Sequence, residues 1–415
     1  MSGLTLRYGS RSFEIDIGDP ASILGPPPAG PELSDIEIGR KLEAPVGAPP
    51  IEETVSAGDS LLLVVPDATR NAGSGRIVDL LVRRSIAAGV RPFDIRVIFA
   101  TGIHRRVTPT ERNEILTPFI TQRIKCLDHE ARDLAGLVRC GETKNGIPVL
   151  LNQALFAHDH VIAIGGISFH YFAGFTGGRK LICPGLAGSR TIAETHKLAF
   201  DPHARDRAVG VGPGILDGNP VNDAFIEAAG FRPPTLLLTS LTNERGGITD
   251  LYAGDWLSSH RSAATEFARN NTINIERKRP VVIGSCGGSP YDVNLIQAHK
   301  SLDVISKACT DGGTIVLVAE CGDGLGRSDL MKWFDLGTSE AIAEELCQRY
   351  QVNGQTAWNL RRISERFDVR IMTSLPDEIV VALGARPIGR LEIEELSRSE
   401  CFAVPAAAGI MIQKN

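Results

Sequence analysis

Residues His158 to His196 read HDHVIAIGGISFHYFAGFTGGRKLICPGLAGSRTIAETH, and five of the chain's nine histidines fall between His158 and His203. The stretch opens on an apolar run, Val161 to Ile164, with the length and β-branched character of a buried strand. A glycine-rich loop carrying His170, Arg179 and Lys180 follows, and Ser189 to His196 has the pattern of a short helix, with Ser189 or Thr191 as its cap. Strand, glycine loop and helix is an arrangement that points backbone N–H groups at an anion. Glycines at 174, 177, 178 and 185 let this loop turn sharply or lie close to a ligand.

Working outward, the N-terminal side repeats the plan. Leu61 to Val65 (LLLVV) is a strong buried strand that runs into Pro66-Asp67-Ala68-Thr69-Arg70, with a helix expected from about Arg76 to Ala88. Polar residues just past the carboxyl end of a parallel strand lie where open α/β sheets bind ligands, although Asp67 and Thr69 also have the chemistry of helix caps. Ile95 to Phe99 is the next strand; ATGIHR follows it at 100 to 105, and Thr108 to Glu111 (TPTE) forms a capping box. His104 therefore sits in a strand-to-helix loop beside Asp67 and Arg70. Further on come a strand ending before Asp128-His129-Glu130, a helix from about Asn222, a strand at Thr235 to Ser240, a polar turn region to Thr249, and a helix from Ala253 to Ala268 with His260 on its surface.

A boundary is expected near Asn270 to Pro280, after which a fresh α/β alternation begins. Its first helix carries Gln297 and Lys300 at i and i+3 on one face. A Gly-x-Gly-x-Gly turn at Gly322 to Gly326 lacks the last glycine of a dinucleotide fingerprint. Glu378 to Ala382 is read as a strand, and the closing VPAAAGIMIQ as an edge strand returning to the first domain. Residues 1 to 55, rich in Pro and Gly, are read as a hairpin followed by an extended wrapping segment. The pattern predicts two α/β domains with Rossmann-like, mainly parallel sheets: an N-terminal one over residues 1–272, joined by 400–415, and a C-terminal one over 273–399, with the active site in the interdomain cleft.

Composition narrows the function. The 415 residues carry a formal charge of −5 and no basic cluster interleaved with aromatics, which argues against a nucleic-acid surface. No window approaches the roughly 20 apolar residues of a membrane span, and the N-terminus lacks an apolar leader core, so the expectation is a soluble, cytoplasmic protein. Eight scattered cysteines without a CxxC pair point to reduced thiols rather than a disulfide frame. Neither GxSxG, HExxH nor a phosphate-binding Walker loop occurs. What remains is a pair of loop histidines able to act as acid and base, with Arg70 and Lys300 to hold a carboxylate. A small hydroxy or keto acid suits that inventory.

PDATR at 66–70, ATGIHR at 100–105, FHYFAGFTGGRKLICPGLAG at 169–188, TIAETH at 191–196 and LIQAHK at 295–300 resemble, in residues and spacing, the nickel-pincer lactate racemase family along nearly the whole chain. The resemblance implies an isomerase that racemises or epimerises a 2-hydroxy acid, lactate or a short relative such as malate. It implies a cofactor as well: a pyridinium-3-thioamide-5-thiocarboxylic acid mononucleotide with carbon-bound nickel, covalently tethered to Lys180. His196 would complete the nickel coordination, His104 and His170 would be the catalytic acid/base pair, Asp67 and Thr69 would contact the cofactor, and Arg70, Gln297 and Lys300 the substrate. Trp358 is a further, less distinctive match. Asn71 stands where the family often has proline. Reversible hydride transfer through a 2-keto acid is the implied mechanism, and it avoids the dianion that direct α-deprotonation of a carboxylate would require. Soft sulfur ligands and one imidazole suit square-planar nickel(II). The implied partners are the small-molecule substrate and, transiently, cofactor-synthesis proteins. Competing readings are an epimerase of larger sugar acids, a dinucleotide-dependent 2-hydroxy acid dehydrogenase, and a non-catalytic binder of the cofactor or of hydroxy acids.

Overall fold

A computed structural model describes residues 2–70, 72–243 and 245–415; Asn71 lies outside them. The chain folds as two compact units. One comprises Pro28–Ala199 and Gly210–Phe267, the other Met1–Pro27, Phe200–Val209 and Ala268–Asn415.

The first unit is built on a six-stranded sheet in the spatial order Ile248–Gly254, Leu236–Thr242, His160–Gly166, Leu61–Pro66, Ile95–Ala100, Lys125–Leu127. All neighbours are parallel except the first pair, which is antiparallel. Leu61–Pro66 is buried at every position, which is what a continuous apolar run does when helices cover both faces of a parallel sheet. From this strand the chain winds one way, through the helix Ser74–Ala87, to Ile95–Ala100. From His160–Gly166 it winds the other way, to Leu236–Thr242. The gap between the carboxyl ends of Leu61–Pro66 and His160–Gly166 is therefore the topological switch point, the position at which open α/β sheets bind ligands. The TPTE capping box forms: Thr108 Oγ1 accepts from Glu111 N, and Glu111 accepts from Thr108 N at 2.8 Å.

The second unit has a five-stranded, wholly parallel sheet ordered Arg386–Pro387, Asp368–Met372, Cys309–Val318, Arg279–Ser285, Cys401–Val404. The hairpin Ser2–Tyr8/Arg11–Ile17 lays Leu6, Ile15 and Ile17 on one face of it, against Ile283, Val316 and Val318. The helix Leu295–Ser306 packs Leu295, Ala298, Leu302 and Ile305 into the core on the other.

These pairings correct several expectations. Residues 1–27 and the C-terminal strands belong with residues 268–415 and not with an N-terminal domain of 1–272 plus 400–415. The reason is local: the fully buried CFAV segment at 401–404 fills the slot beside Arg279–Ser285, and Met411–Lys414 pairs in parallel with Thr272–Ile275. The wrapping segment contains a helix, Asp35–Glu43, whose Ser34–Glu37 capping box is legible in the sequence. The polar turn region expected to Thr249 gives way at its end to the antiparallel strand Ile248–Gly254, and the helix expected from Ala253 to Ala268 runs Ser258–Asn271 instead. Glu378–Ala382 is helical, within Asp377–Ala382, because Pro376 and two acidic residues make a helix start that outweighs the β-branched run. The glycine turn at 322–326 leads into a 3-10 turn, Met331–Leu336, and not the long helix a pyrophosphate would need. All eight cysteines are free. No helix among the described residues is long and apolar enough to cross a membrane.

Candidate active site

Three neighbouring strands of the first unit deliver the candidate residues from their carboxyl ends. Asp67 follows Leu61–Pro66, His104 follows Ile95–Ala100, and His170 follows His160–Gly166. Asp67 is 6 % exposed. Its Oδ1 accepts from Thr69 N at 3.0 Å and from Thr69 Oγ1 at 2.6 Å, and its Oδ2 lies 2.7 Å from His104 Nδ1. Burial pushes this carboxyl up. The His104 ring, its hydrogen bond, Arg70 and Thr69 outweigh that effect and hold Asp67 well below the ordinary carboxylate range. An ionised carboxylate accepts only, so His104 carries its proton on Nδ1 and presents the lone pair of Nε2. His104 itself is exposed at its tip, with its backbone N–H donating to Thr101 O at 2.9 Å. Gly102, at φ +54°, donates to Gly185 O at 2.8 Å and so fastens the His104 loop to the central one.

The central loop is braced from inside by Arg179, which is 2 % exposed. Its guanidinium donates to Phe175 O at 3.0 Å and Ala173 O at 2.6 Å, and lies 3.1 Å from His260 Nε2. Burial lowers Arg179. Burial, then the neighbouring guanidinium, drives His260 down to about 3, so the ring is neutral. His260, expected at the surface, is thus a buried prop on the helix Ser258–Asn271, its ring facing the glycine loop. Gly178, at φ +56°, is required there: a Cβ would stand 2.5 Å from His260 Cδ2.

Lys180 leaves the 3-10 turn Gly178–Leu181 with its ammonium 5.6 Å from the Phe172 ring centre and 5.3 Å from that of Phe225. His196, on the helix Ser189–Lys197, packs on the same two rings, at 5.0 and 5.5 Å. Its Nδ1 lies 2.7 Å from Ile192 O, and because a carbonyl only accepts, Nδ1 carries the proton and Nε2 the lone pair. That helix has Gly188 at its cap and no side-chain capping bond. Thr191, one of the caps expected, instead joins Leu150 N and Pro148 O. His170 packs edge-on against Phe172 at 4.5 Å. Phe172 is thus common to His170, Lys180 and His196.

Gln297 and Lys300 lie on the helix Leu295–Ser306 of the other unit, where Lys300 Nζ donates to Gln297 Oε1 at 2.6 Å. Trp358 is buried in that unit's core, edge-on to Phe200 at 5.5 Å. Two features of the site escape a reading of the sequence. Phe225 comes from the helix Pro220–Ala229, whose apolar pattern gives no sign that one ring covers a lysine. Asn219 caps that helix and also donates to Phe172 O at 2.9 Å, fixing the shared ring; its Asn-Pro pair signals a cap but not the second contact.

A carboxylate-backed histidine at a strand end, together with a lysine and a histidine that share two aromatic rings, is the equipment of an α/β enzyme. Comparison with known proteins gives the class its particular form. The lactate racemase N-terminal domain matches residues 8–207 and the lactate racemase C-terminal domain residues 275–394. The lactate racemase of Thermoanaerobacterium thermosaccharolyticum is 28 % identical over 342 residues, covering 80 % of this chain and 78 % of the relative. That of Lactiplantibacillus plantarum is 29 % identical over 303 residues, covering 71 % and 68 %. In fold, the lactate racemase apoprotein from T. thermosaccharolyticum superposes with a TM-score of 0.86 at 24 % identity, over 99 % of this chain and all of that one. A Thermotoga maritima protein follows with a TM-score of 0.73 at 18 % identity, over 93 % of this chain and all of that one. The chain belongs to the lactate racemase family, and it is an enzyme of the isomerase class.

Proposed function

We propose that this protein racemises a short 2-hydroxy acid, with lactate the first candidate and malate or a sugar acid the alternatives, using a nickel-pincer nucleotide tethered to Lys180. The observation that carries the reading is the 2.7 Å Asp67–His104 bond, which gives His104 Nε2 a fixed lone pair for the substrate hydroxyl. Both named relatives are lactate racemases.

The residues present fit the cofactor. Among the described residues no cluster of three or more His, Cys, Asp or Glu could hold a metal, so a nickel ion here would draw one imidazole, His196 Nε2, from the protein and the rest from the nucleotide's own sulfur and carbon. The hydrogen bond from Nδ1 to Ile192 O sets the tautomer a metal-binding histidine needs. Lys180 offers an amine for the covalent link. When bound, the group supplies a reversible acceptor for the α-hydrogen and its bonding pair.

The chain's own part is binding and proton handling. His104 Nε2 takes the hydroxyl proton, and the buried Asp67 carboxylate stabilises the imidazolium that results. Asp67, expected to contact the cofactor, accepts from Thr69 and holds His104, so the role proposed for Asp67 and Thr69 is to orient the base. Arg70, Gln297 and Lys300 are proposed to bind the substrate carboxylate. His170 is the second catalytic histidine. The test is chiral chromatography of cofactor-loaded protein incubated with each enantiomer of lactate, malate and longer 2-hydroxy acids. Racemisation of at least one is expected, and inertness toward all would refute the reading. Intact mass should show an adduct that Lys180→Ala abolishes; an unchanged mass with retained activity would remove the tether.

A further inference from the structure

Asp128-His129-Glu130 follows the edge strand Lys125–Leu127, and the proton handling given to His104 leaves His129 without a part. The His129 ring is buried and both its nitrogens are engaged: Nε2 lies 3.0 Å from Ala187 O, and Nδ1 lies 3.1 Å from Asn152 Nδ2. The Asn152 amide has one orientation, because its Oδ1 accepts from Ala154 N at 2.9 Å. Its NH2 therefore donates to His129 Nδ1, and the ring proton sits on Nε2, where the Ala187 carbonyl accepts it. Both ends of this relay require the same tautomer, and burial favours the neutral ring by lowering its pKa below the ordinary histidine value. Ala187 lies in the segment through which the chain passes from Lys180 to the helix Ser189–Lys197, the helix of His196. Backbone bonds hold that segment on each side of Ala187: Asn152 N donates to Leu186 O at 2.8 Å, Gly188 N to Leu150 O at 2.8 Å, and Ser189 N to Ala131 O at 2.7 Å. Thr101, in the loop of His104, donates from Oγ1 to His129 O at 3.4 Å.

We propose that His129 is a positioning residue for His196, its ring locked in one tautomer so that the hydrogen bond to Ala187 O fixes the segment leading into the His196 helix. That helix starts at Gly188 with no side-chain capping bond, so its placing depends on the residues just before it. Ala187 is fully buried, and its carbonyl needs a donor from within the protein. A ring protonated on Nε2 supplies the donor and accepts from Asn152 at once. A ring protonated on Nδ1 would set an N–H against the Asn152 amide, whose oxygen already receives Ala154 N. His129 touches no substrate and acts through Ala187. Its carbonyl gives the His104 loop a support as well, so one residue underlies both the loop of the proton-accepting histidine and the approach to the histidine offered to nickel. The tasks of Lys180 and His196 rest on the racemase reading; the positioning rests on the hydrogen bonds.

Three measurements test it. Nitrogen-15 NMR of the cofactor-free full chain with labelled histidine, His129 being assigned by its loss in His129→Gln, should show a protonated Nε2 and a bare Nδ1 from pH 7 to 8. A protonated Nδ1 in wild type overturns the proposal whether or not any variant folds. Hydrogen exchange read by mass spectrometry in the same cofactor-free chain compares His129→Leu, which loses both ring bonds, with His129→Gln, whose amide N–H still reaches toward Ala187 O. Residues 187–196 should exchange at least ~10-fold faster in the Leu variant and near the wild-type rate in the Gln variant, with the helix Ser74–Ala87 unchanged in both. Wild-type exchange in the Leu variant, or a Gln variant as fast as the Leu one, overturns the proposal. In loaded protein, a chelator should strip nickel from His129→Leu at least ~10-fold faster than from wild type while the mass adduct on Lys180 stays, the usual worth of a partner that orients a metal-binding histidine. Nickel lost at the wild-type rate would overturn the role toward His196. A wild-type protein that takes up no adduct and racemises nothing would instead sink the racemase reading, which the exchange and NMR results do not depend on.

Discussion

Replacing Asp67 by asparagine tests the chemistry of the site with the least change in shape. The two oxygens of Asp67 are not equivalent: Oδ1 receives both Thr69 donors, at 3.0 and 2.6 Å, while Oδ2 faces His104 at 2.7 Å. In the variant the amide oxygen must take the Oδ1 place, because only an acceptor suits the Thr69 N–H, and the amide NH2 is left pointing at His104 Nδ1. His104 then accepts at Nδ1 and moves its proton to Nε2. The lone pair meant for the substrate hydroxyl is gone, and so is the negative charge that stabilised the imidazolium. Losing a correctly placed base costs roughly 10²- to 10⁴-fold in turnover, or about 3–5 kcal/mol in the barrier. Global stability should change by no more than about 1 kcal/mol, since the packing and the Thr69 contacts are kept. The assay is racemisation by loaded enzyme, with cofactor content measured by mass and folding by urea titration. A fully loaded, folded Asp67→Asn enzyme within fivefold of wild type would refute the role given to the Asp67–His104 pair.

Other consequences are open to simpler experiments. Burial holds His129 and His260 below the ordinary histidine value, His260 at about 3. The unfolded chain therefore binds more protons than the folded one below about pH 6.5, and the stability these rings contribute, complete above that pH, is lost as pH falls through it toward the folded values. For His260 alone the loss is roughly 1.4 kcal/mol per pH unit near pH 5, and His129 adds to it in the same direction, so urea midpoints that stay flat from pH 7.5 to 5 would contradict it. Gly178→Ala places a methyl in the left-handed region and 2.5 Å from His260 Cδ2; a loss of roughly 2–4 kcal/mol is expected, and less than 0.5 would show that the loop yields. Burial pushes the Cys183 and Cys321 thiols up to about 12, whereas Cys347 is exposed. Maleimide under native conditions should label Cys347 within minutes and leave the other two until denaturant is added; early labelling of Cys183 would mean that the loop opens.

How much of this could be read from the chain depends on whether local chemistry or a distant neighbour decides. Leu61–Pro66 and His160–Gly166 are legible because fully buried parallel strands are continuous apolar runs, and Thr108–Glu111 because a capping box is satisfied within four residues. Asp67, His104 and His170 are legible as strand-end residues for the same reason. The tautomer of His104 is not, since it depends on which group the fold brings to its Nδ1. His260 is not legible as buried because its helix pattern is weakly amphipathic, while its contacts, Thr176 O and the Arg179 guanidinium, come from a loop some eighty residues away. The unit boundaries fail similarly: nothing in CFAV at 401–404 says which sheet it will join, and the pairing with Arg279–Ser285 decides it.

The account stands on the α-hydrogen departing with its electrons while the hydroxyl proton goes to His104. Loaded enzyme racemising L-lactate in deuterium oxide to full loss of optical activity, with the product analysed by mass spectrometry and proton NMR, measures this directly. The account predicts that the α-hydrogen stays protium through complete racemisation. Deuterium entering that carbon at the rate at which stereochemistry is lost would contradict it and point to deprotonation by an ordinary base.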